Sequence, residues 1–234
     1  ETYGHAELRR EIALTYDTAA PEGILCFAGA EEGVYAAMRI LLKKDDHAIV
    51  VVPNYQAAET VPLDICRVSG VPLEETDNWS LDIDRVRKAI RPNTRVISVN
   101  FPNNPTGAVL SKDRFDALVS LCRKHGIYLF SDEVYRGVER EASIRLPQAA
   151  DAYEKGLSLN VLSKAYGFPG LRIGWIMCRD RQLLRKLEGY KHYLSICNSA
   201  VSERLAIIVL KAKAQILERN QNLVNANAGK LDGF

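Results

Sequence analysis

Seven short apolar runs recur along the chain: ILCFA (24–28), HAIVVV (47–52), CRVSG (66–70), RVISVNF (95–101), IYLFSD (127–132), LSLNVL (157–162) and RIGWIMC (172–178). They are rich in Val and Ile and bounded by Gly, Pro, Asn or Asp, the pattern of strands buried on both faces. Helical patterns such as VYAAMRILLKK (34–44), SLDIDRVRKAI (80–90) and SKDRFDALVSLCRKHG (111–126) separate most of them. The last opens on a Ser that can cap it and closes on Gly126 after basic residues, as helix ends prefer. Strands alternating with helices require crossover connections, so the expected fold is α/β: a doubly wound, mostly parallel seven-stranded sheet with helices on both faces. Ligands on such sheets sit beyond the C-terminal ends of the strands.

Composition narrows the partners. The 234 residues are 47% apolar and 26% charged with a net charge of +2, an ordinary globular balance in which no basic stripe suits a phosphate backbone, so no nucleic acid is expected. The five cysteines (Cys26, Cys66, Cys122, Cys178, Cys197) are odd in number and never paired as C-x-x-C, which argues against a disulfide framework or a thiolate metal site and for reduced cysteines in a cytoplasmic protein. No run approaches the ~18 apolar residues of a membrane span, so no membrane is expected either. The opening ETYGHAELRREIA reads as an amphipathic helix already under way, and from Ser199 onward apolar residues keep helical spacing for nearly thirty residues, long for one helix of a compact domain. We therefore expect a piece of a longer protein: residues 1–198 as one domain lacking an N-terminal segment, and 199–234 as a bridging helix with the start of a second, smaller domain.

Chemistry-bearing residues cluster after the strands. Gly29-Ala30-Glu31-Glu32-Gly33 follows the first, and a strand, a glycine turn and a helix N-terminus read either as a plain turn or as a phosphate cradle of bare N–H groups. Pro102-Asn103-Asn104-Pro105-Thr106-Gly107 follows the fourth, either a surface turn or a loop whose amides donate to a ligand. The fifth delivers Asp132, with Tyr135 just beyond. A carboxylate leaving an apolar strand is a helix cap or a site acid that needs a cation. Lys164 after the sixth either reaches solvent or attacks a carbonyl carbon to form a Schiff base, and Arg172 can fork onto a phosphate. Their order along successive strand ends suits one cofactor, pyridoxal 5'-phosphate, with its phosphate tail, phenolic oxygen, ring nitrogen and aldehyde.

Together NFPNNPTG, SDEVYRG and SKAYGFPGLRIGW, with YGHAELRREIA at the start and the long helix at the end, resemble the class I/II aminotransferases of the fold-type I pyridoxal-phosphate enzymes, over essentially the whole chain. The resemblance implies the large, cofactor-binding domain of such an enzyme and assigns roles. Lys164 would carry the cofactor as a Schiff base and shuttle the proton between the substrate α-carbon and the cofactor C4′. Asp132 would pair with the ring nitrogen, Asn104 and Tyr135 would bond the phenolic oxygen, and Tyr55 would stack on the ring or else be a packed turn residue. Ala30 and Glu31 would offer backbone N–H groups to the phosphate and Arg172 its guanidinium. One departure stands out: the family usually has serine three before the lysine, where this chain has Val161. Strand alternation would turn Ser163 to the other face, so that role is not transferred to it.

The activity so implied moves an amino group between an amino acid and a 2-oxo acid, in a homodimer. Two alternatives stand beside it: a lyase or cyclase on the same fold, since the carbanion at the α-carbon can instead expel a β-substituent, and an aminotransferase-like sensor domain of a transcriptional regulator.

Overall fold

The computed structural model describes residues 1–231; residues 232–234, the end of the expected bridging segment, lie outside the described residues. The apolar runs form seven strands: β1 (Ile24–Phe27), β2 (His47–Val52), β3 (Arg67–Pro72), β4 (Thr94–Asn100), β5 (Tyr128–Asp132), β6 (Gly156–Val161) and β7 (Gly174–Cys178). They make one sheet in the order β1-β7-β6-β5-β4-β2-β3. β7 runs antiparallel to both its neighbours, and the other pairings are parallel. Six strands therefore end at the edge where β7 begins, and the residues singled out above follow or precede those ends.

Nine helices are described: α1 (Ala6–Ala13), α2 (Ala30–Leu41), α3 (Gln56–Leu63), α4 (Ile83–Ala89), α5 (Lys112–His125), α6 (Ala149–Ala152), α7 (Arg181–Lys191), α8 (Ala200–Lys211) and α9 (Lys213–Leu231). One face of the sheet packs Leu25, Phe27, Phe130 and Ile176 against α2 and α7. On the other face, Ile97, Val99 and Leu129 meet α5, while Trp175 and Met177 meet α1 and α8. Phe27, Phe130 and Trp175 are buried to 1% exposure or less, each worth about 2–3 kcal/mol of transfer free energy.

The helix ends follow their caps. Ser111 caps α5 through its hydroxyl, and Gly126 closes it at φ 66°, as the sequence predicts. α4 starts later than its periodicity suggests because the Asp82 carboxylate accepts the N–H groups of Asp84 and Arg85. α2 starts four residues earlier than its apolar pattern, directly on Gly29. The expected single helix from Ser199 is two: Ala212, at φ −95° and ψ 12°, ends α8 before α9 begins.

A buried polar relay ties α1 to the sheet. The Tyr16 hydroxyl accepts from Trp175 Nε1 at 2.9 Å and from Asn160 Nδ2 at 3.2 Å, while Gln148 Oε1 accepts from Asn160 and Gln148 Nε2 donates to Thr15 O at 2.7 Å. Tyr16→Phe strands the Trp175 indole N–H in the core, so it is expected to destabilise the protein by about 1–3 kcal/mol. An unchanged urea midpoint would contradict that reading.

Candidate active site

The acid comes first. Asp132 ends β5 between β4 and β6 and is 6% exposed. Burial pushes its carboxyl from 3.8 up to about 7, against the pull of the Val134 N–H and the Lys164 ammonium, with the Glu31 carboxylate adding to the rise. Val134 N–H donates to Asp132 Oδ1 at 3.2 Å. Its main-chain carbonyl is held by Asn100 Nδ2 at 3.0 Å and by Phe101 N–H at 3.2 Å.

The same asparagine places the amide loop, since Asn100 Oδ1 accepts the Asn104 N–H at 2.7 Å. Asn103 Nδ2 then donates to Pro53 O at 3.1 Å, which sews the loop after β4 to the loop after β2. In that second loop the Asn54 carboxamide oxygen accepts the Tyr55 N–H at 2.7 Å, and Tyr55 stands 44% exposed before α3. Tyr135 is half-buried; burial raises its hydroxyl pKa first, and the charge of Asp132 and then Tyr55 raise it further. Asp132, Tyr135, Tyr55 and Lys164 therefore lie within electrostatic reach of one another in linked pairs.

Lys164 is exposed at the same edge. Ala165 N–H donates to Val134 O at 3.3 Å and Gly167 N–H to Lys164 O at 2.9 Å, so the lysine backbone is fastened two residues beyond the acid.

A glycine turn, a helix N-terminus and an arginine occupy the other end. Gly29 has φ 98°, and α2 begins with no side-chain cap, leaving N–H groups of its first turn without a capping side chain. A Cβ on Gly29 would lie 2.3 Å from Arg172 Nη2, so the guanidinium rests directly on that turn. A Cβ on Gly174 would lie 2.8 Å from Ala30 N, so β7 and α2 approach as closely as they do only because glycine stands there. Arg172 itself sits in the left-handed region at φ 52°, a conformation that costs free energy and is commonest at functional sites. Its Nη1 lies 3.4 Å from Ser163 Oγ. That contact corrects the expectation for Ser163: β6 ends at Val161, so strand alternation no longer governs two residues later and the hydroxyl joins the arginine.

These residues fit pyridoxal phosphate. The Cβ-free turn under a guanidinium suits a phosphate, and a buried acid with a raised pKa suits a ring N–H⁺. Asn100 is the residue that the sequence gives no reason to single out, since its partner Asp132 lies 32 residues away.

Comparison with known proteins agrees. The family model described as aminotransferase class I and II matches residues 1–231. The arginine–pyruvate transaminase AruH of Pseudomonas aeruginosa is 35% identical over 162 residues, 67% of this chain and 40% of that protein. The aspartate aminotransferase of Pyrococcus horikoshii is 31% identical over 72% of this chain and 44% of its own length. A crystal structure of a PLP-dependent aminotransferase from Streptococcus suis superposes with a TM-score of 0.94 at 33% identity, covering 99% of this chain and 61% of that one. The chain spans about half the length of the curated relatives it matches. By the extent of the family match, it belongs to the class I and II aminotransferases.

Proposed function

We propose that this chain is the cofactor-binding part of a pyridoxal 5'-phosphate-dependent aminotransferase that moves an amino group between an amino acid and a 2-oxo acid. The observation that carries it is the buried Asp132 on the sheet edge that also bears Lys164, Tyr135 and the Gly29–Arg172 cradle. Bound there, pyridoxal phosphate supplies an aldehyde that condenses with amines and a protonated ring that draws electrons from the carbon next to nitrogen.

The chain's residues do the rest. Asp132, ionised against the ring N–H⁺, keeps that proton in place. Asn104 and Tyr135 bond the phenolic oxygen, and Tyr55 covers one ring face. The N–H groups of Ala30 and Glu31, the Arg172 guanidinium and the Ser163 hydroxyl hold the phosphate, so the serine absent at Val161 has a neighbour that serves. Lys164 would hold the cofactor aldehyde through Nζ and, as a free amine, would serve as the base that carries a proton at the substrate α-carbon.

In this reading residues 1–198 form the large domain and the segment from 199 bridges to a smaller one. Val201, Leu205 and Ile208 recur on one side of α8 at 70%, 45% and 63% exposure, which supports a homodimer in which a second subunit covers them. The unpaired cysteines suit the reducing cytoplasm.

Two measurements test the site. With pyridoxal phosphate the protein is expected to show a visible absorption band and, after borohydride, a cofactor fixed to the chain; Lys164→Ala is expected to lose both. Equal fixation in the variant would refute Lys164. The second concerns Asp132 in the cofactor-free protein. A carboxyl whose pKa rises from 3.8 to about 7 on folding holds its proton more tightly when folded, so its stabilising effect is complete below about pH 4 and is lost as pH climbs through 7. Asp132→Asn is expected to flatten that decline and to stabilise the free protein at pH 8 by at most about 4 kcal/mol, while weakening cofactor affinity at least tenfold. Denaturation across pH decides; a variant less stable than the parent at pH 8 sinks the argument.

A further inference from the structure

Glu32 lies in the first turn of α2, two residues past the Ala30 that opens it. A glutamate at the third helical position often turns back to cap the N–H of the residue before the helix, but here Gly29 N–H already donates to Phe27 O at 2.8 Å. Glu32 reaches one residue further: its Oε2 accepts the Ala28 N–H at 2.6 Å. Its Oε1 accepts the Ser195 N–H at 2.9 Å, from the loop between α7 and α8 and 163 residues away in sequence. Hydrogen bonds to an ionised carboxylate are roughly twice as strong as neutral ones, so one side chain clamps two backbone segments.

The loop is held from its other side by Lys191. That side chain is fully buried, and its Nζ donates to Ile196 O at 3.1 Å and to Thr2 O at 3.2 Å. Ile196 adopts φ 61°, a position a β-branched residue keeps only when its surroundings impose it. Glu32 thus joins a constrained loop to the residue preceding the Gly29 turn, on which Arg172 rests.

We propose that Glu32 is a positioning residue for the phosphate cradle: its carboxylate locks the 28–31 turn and the 195–197 loop to each other, so the cradle N–H groups are aimed only while the loop is docked. This rests on the proposed cofactor for its functional half. The clamp itself is measurable without any ligand.

In the cofactor-free protein, Glu32→Ala is expected to speed hydrogen exchange at Ala28 and Ser195 together, at least tenfold, and Glu32→Gln, which keeps one acceptor oxygen, to release one of the two. In titrations, Glu32→Ala is expected to raise the dissociation constant for pyridoxal phosphate at least tenfold, with Glu32→Gln intermediate. Affinity for pyridoxal, which lacks the phosphate, should stay within twofold of the parent. Exchange that rises at neither amide or at only one in Glu32→Ala, an unchanged affinity for pyridoxal phosphate, or an equal loss for both ligands would overturn the proposal. A parent protein that takes up no pyridoxal phosphate counts against the proposed function, and the exchange result alone then decides the clamp.

Discussion

Keeping the Asp132 carboxylate out of water is the constraint around which the site is arranged. The sheet forces it: β5 is flanked by parallel neighbours on both sides and covered by helices on both faces, so its last side chain emerges into low dielectric. Lys164 offsets part of the cost by its charge, yet burial prevails and the carboxyl stays near 7. An acid in that condition gains most from a cation that arrives already desolvated and can donate a proton in line. A heteroaromatic N–H⁺ meets that need without bringing an ammonium's hydration shell. Neighbouring Glu133, just past the end of β5, is also pushed to about 7 by burial, but it accepts from Ala149 N–H and from the Ser158 hydroxyl and is spent on holding α6 and β6.

Strand order converts this local condition into a slot with polarity. Along the edge the sheet presents the cradle after β1, Arg172 before β7, Lys164 after β6, Asp132 at β5, Asn104 after β4 and Tyr55 after β2. Positive groups gather at one end and the acid, amide and aromatic groups at the other. On the proposed function, a ligand with an anionic tail and a cationic ring is matched by both ends at once, and the lysine falls between them. The antiparallel β7 matters here: it enters the sheet at the edge where its neighbours leave, which lets Arg172 stand beside the start of α2 although the two are far apart in the chain.

The strands were legible because their signals are local, and so were the candidate site residues that the structure brings to one sheet edge. Apolar runs bounded by turn residues mark a strand wherever it lies, and Asp132, Lys164 and Arg172 sit within a few residues of such ends. The direction of β7 was not legible, since a buried strand has the same pattern either way round. The early start of α2 was hidden because Gly29 supplies no capping side chain, and the break at Ala212 because apolar spacing continues across it. Ser163 was misjudged by extending a two-residue period beyond the end of β6. Asn100, Asn103 and Glu32 act through partners 32, 50 and 163 residues away, contacts that exist only once the chain is folded.

That break divides two kinds of attachment. α8 is fixed by apolar burial, with Ala206, Ile207 and Leu210 packed against Leu8 and Ile12 of α1. α9 has no buried residue; beyond the partial packing of Ile216 and Leu217 it is held by side-chain amides. Asn220 donates to Ala165 O, Gln221 to Glu139 O and Asn225 to Arg140 O. Exchanging such bonds for water costs about 0.5–1.5 kcal/mol each, far less than extracting the α8 face. α9 is therefore the cheaper helix to shift, and the first of its amides grips the residue next to Lys164.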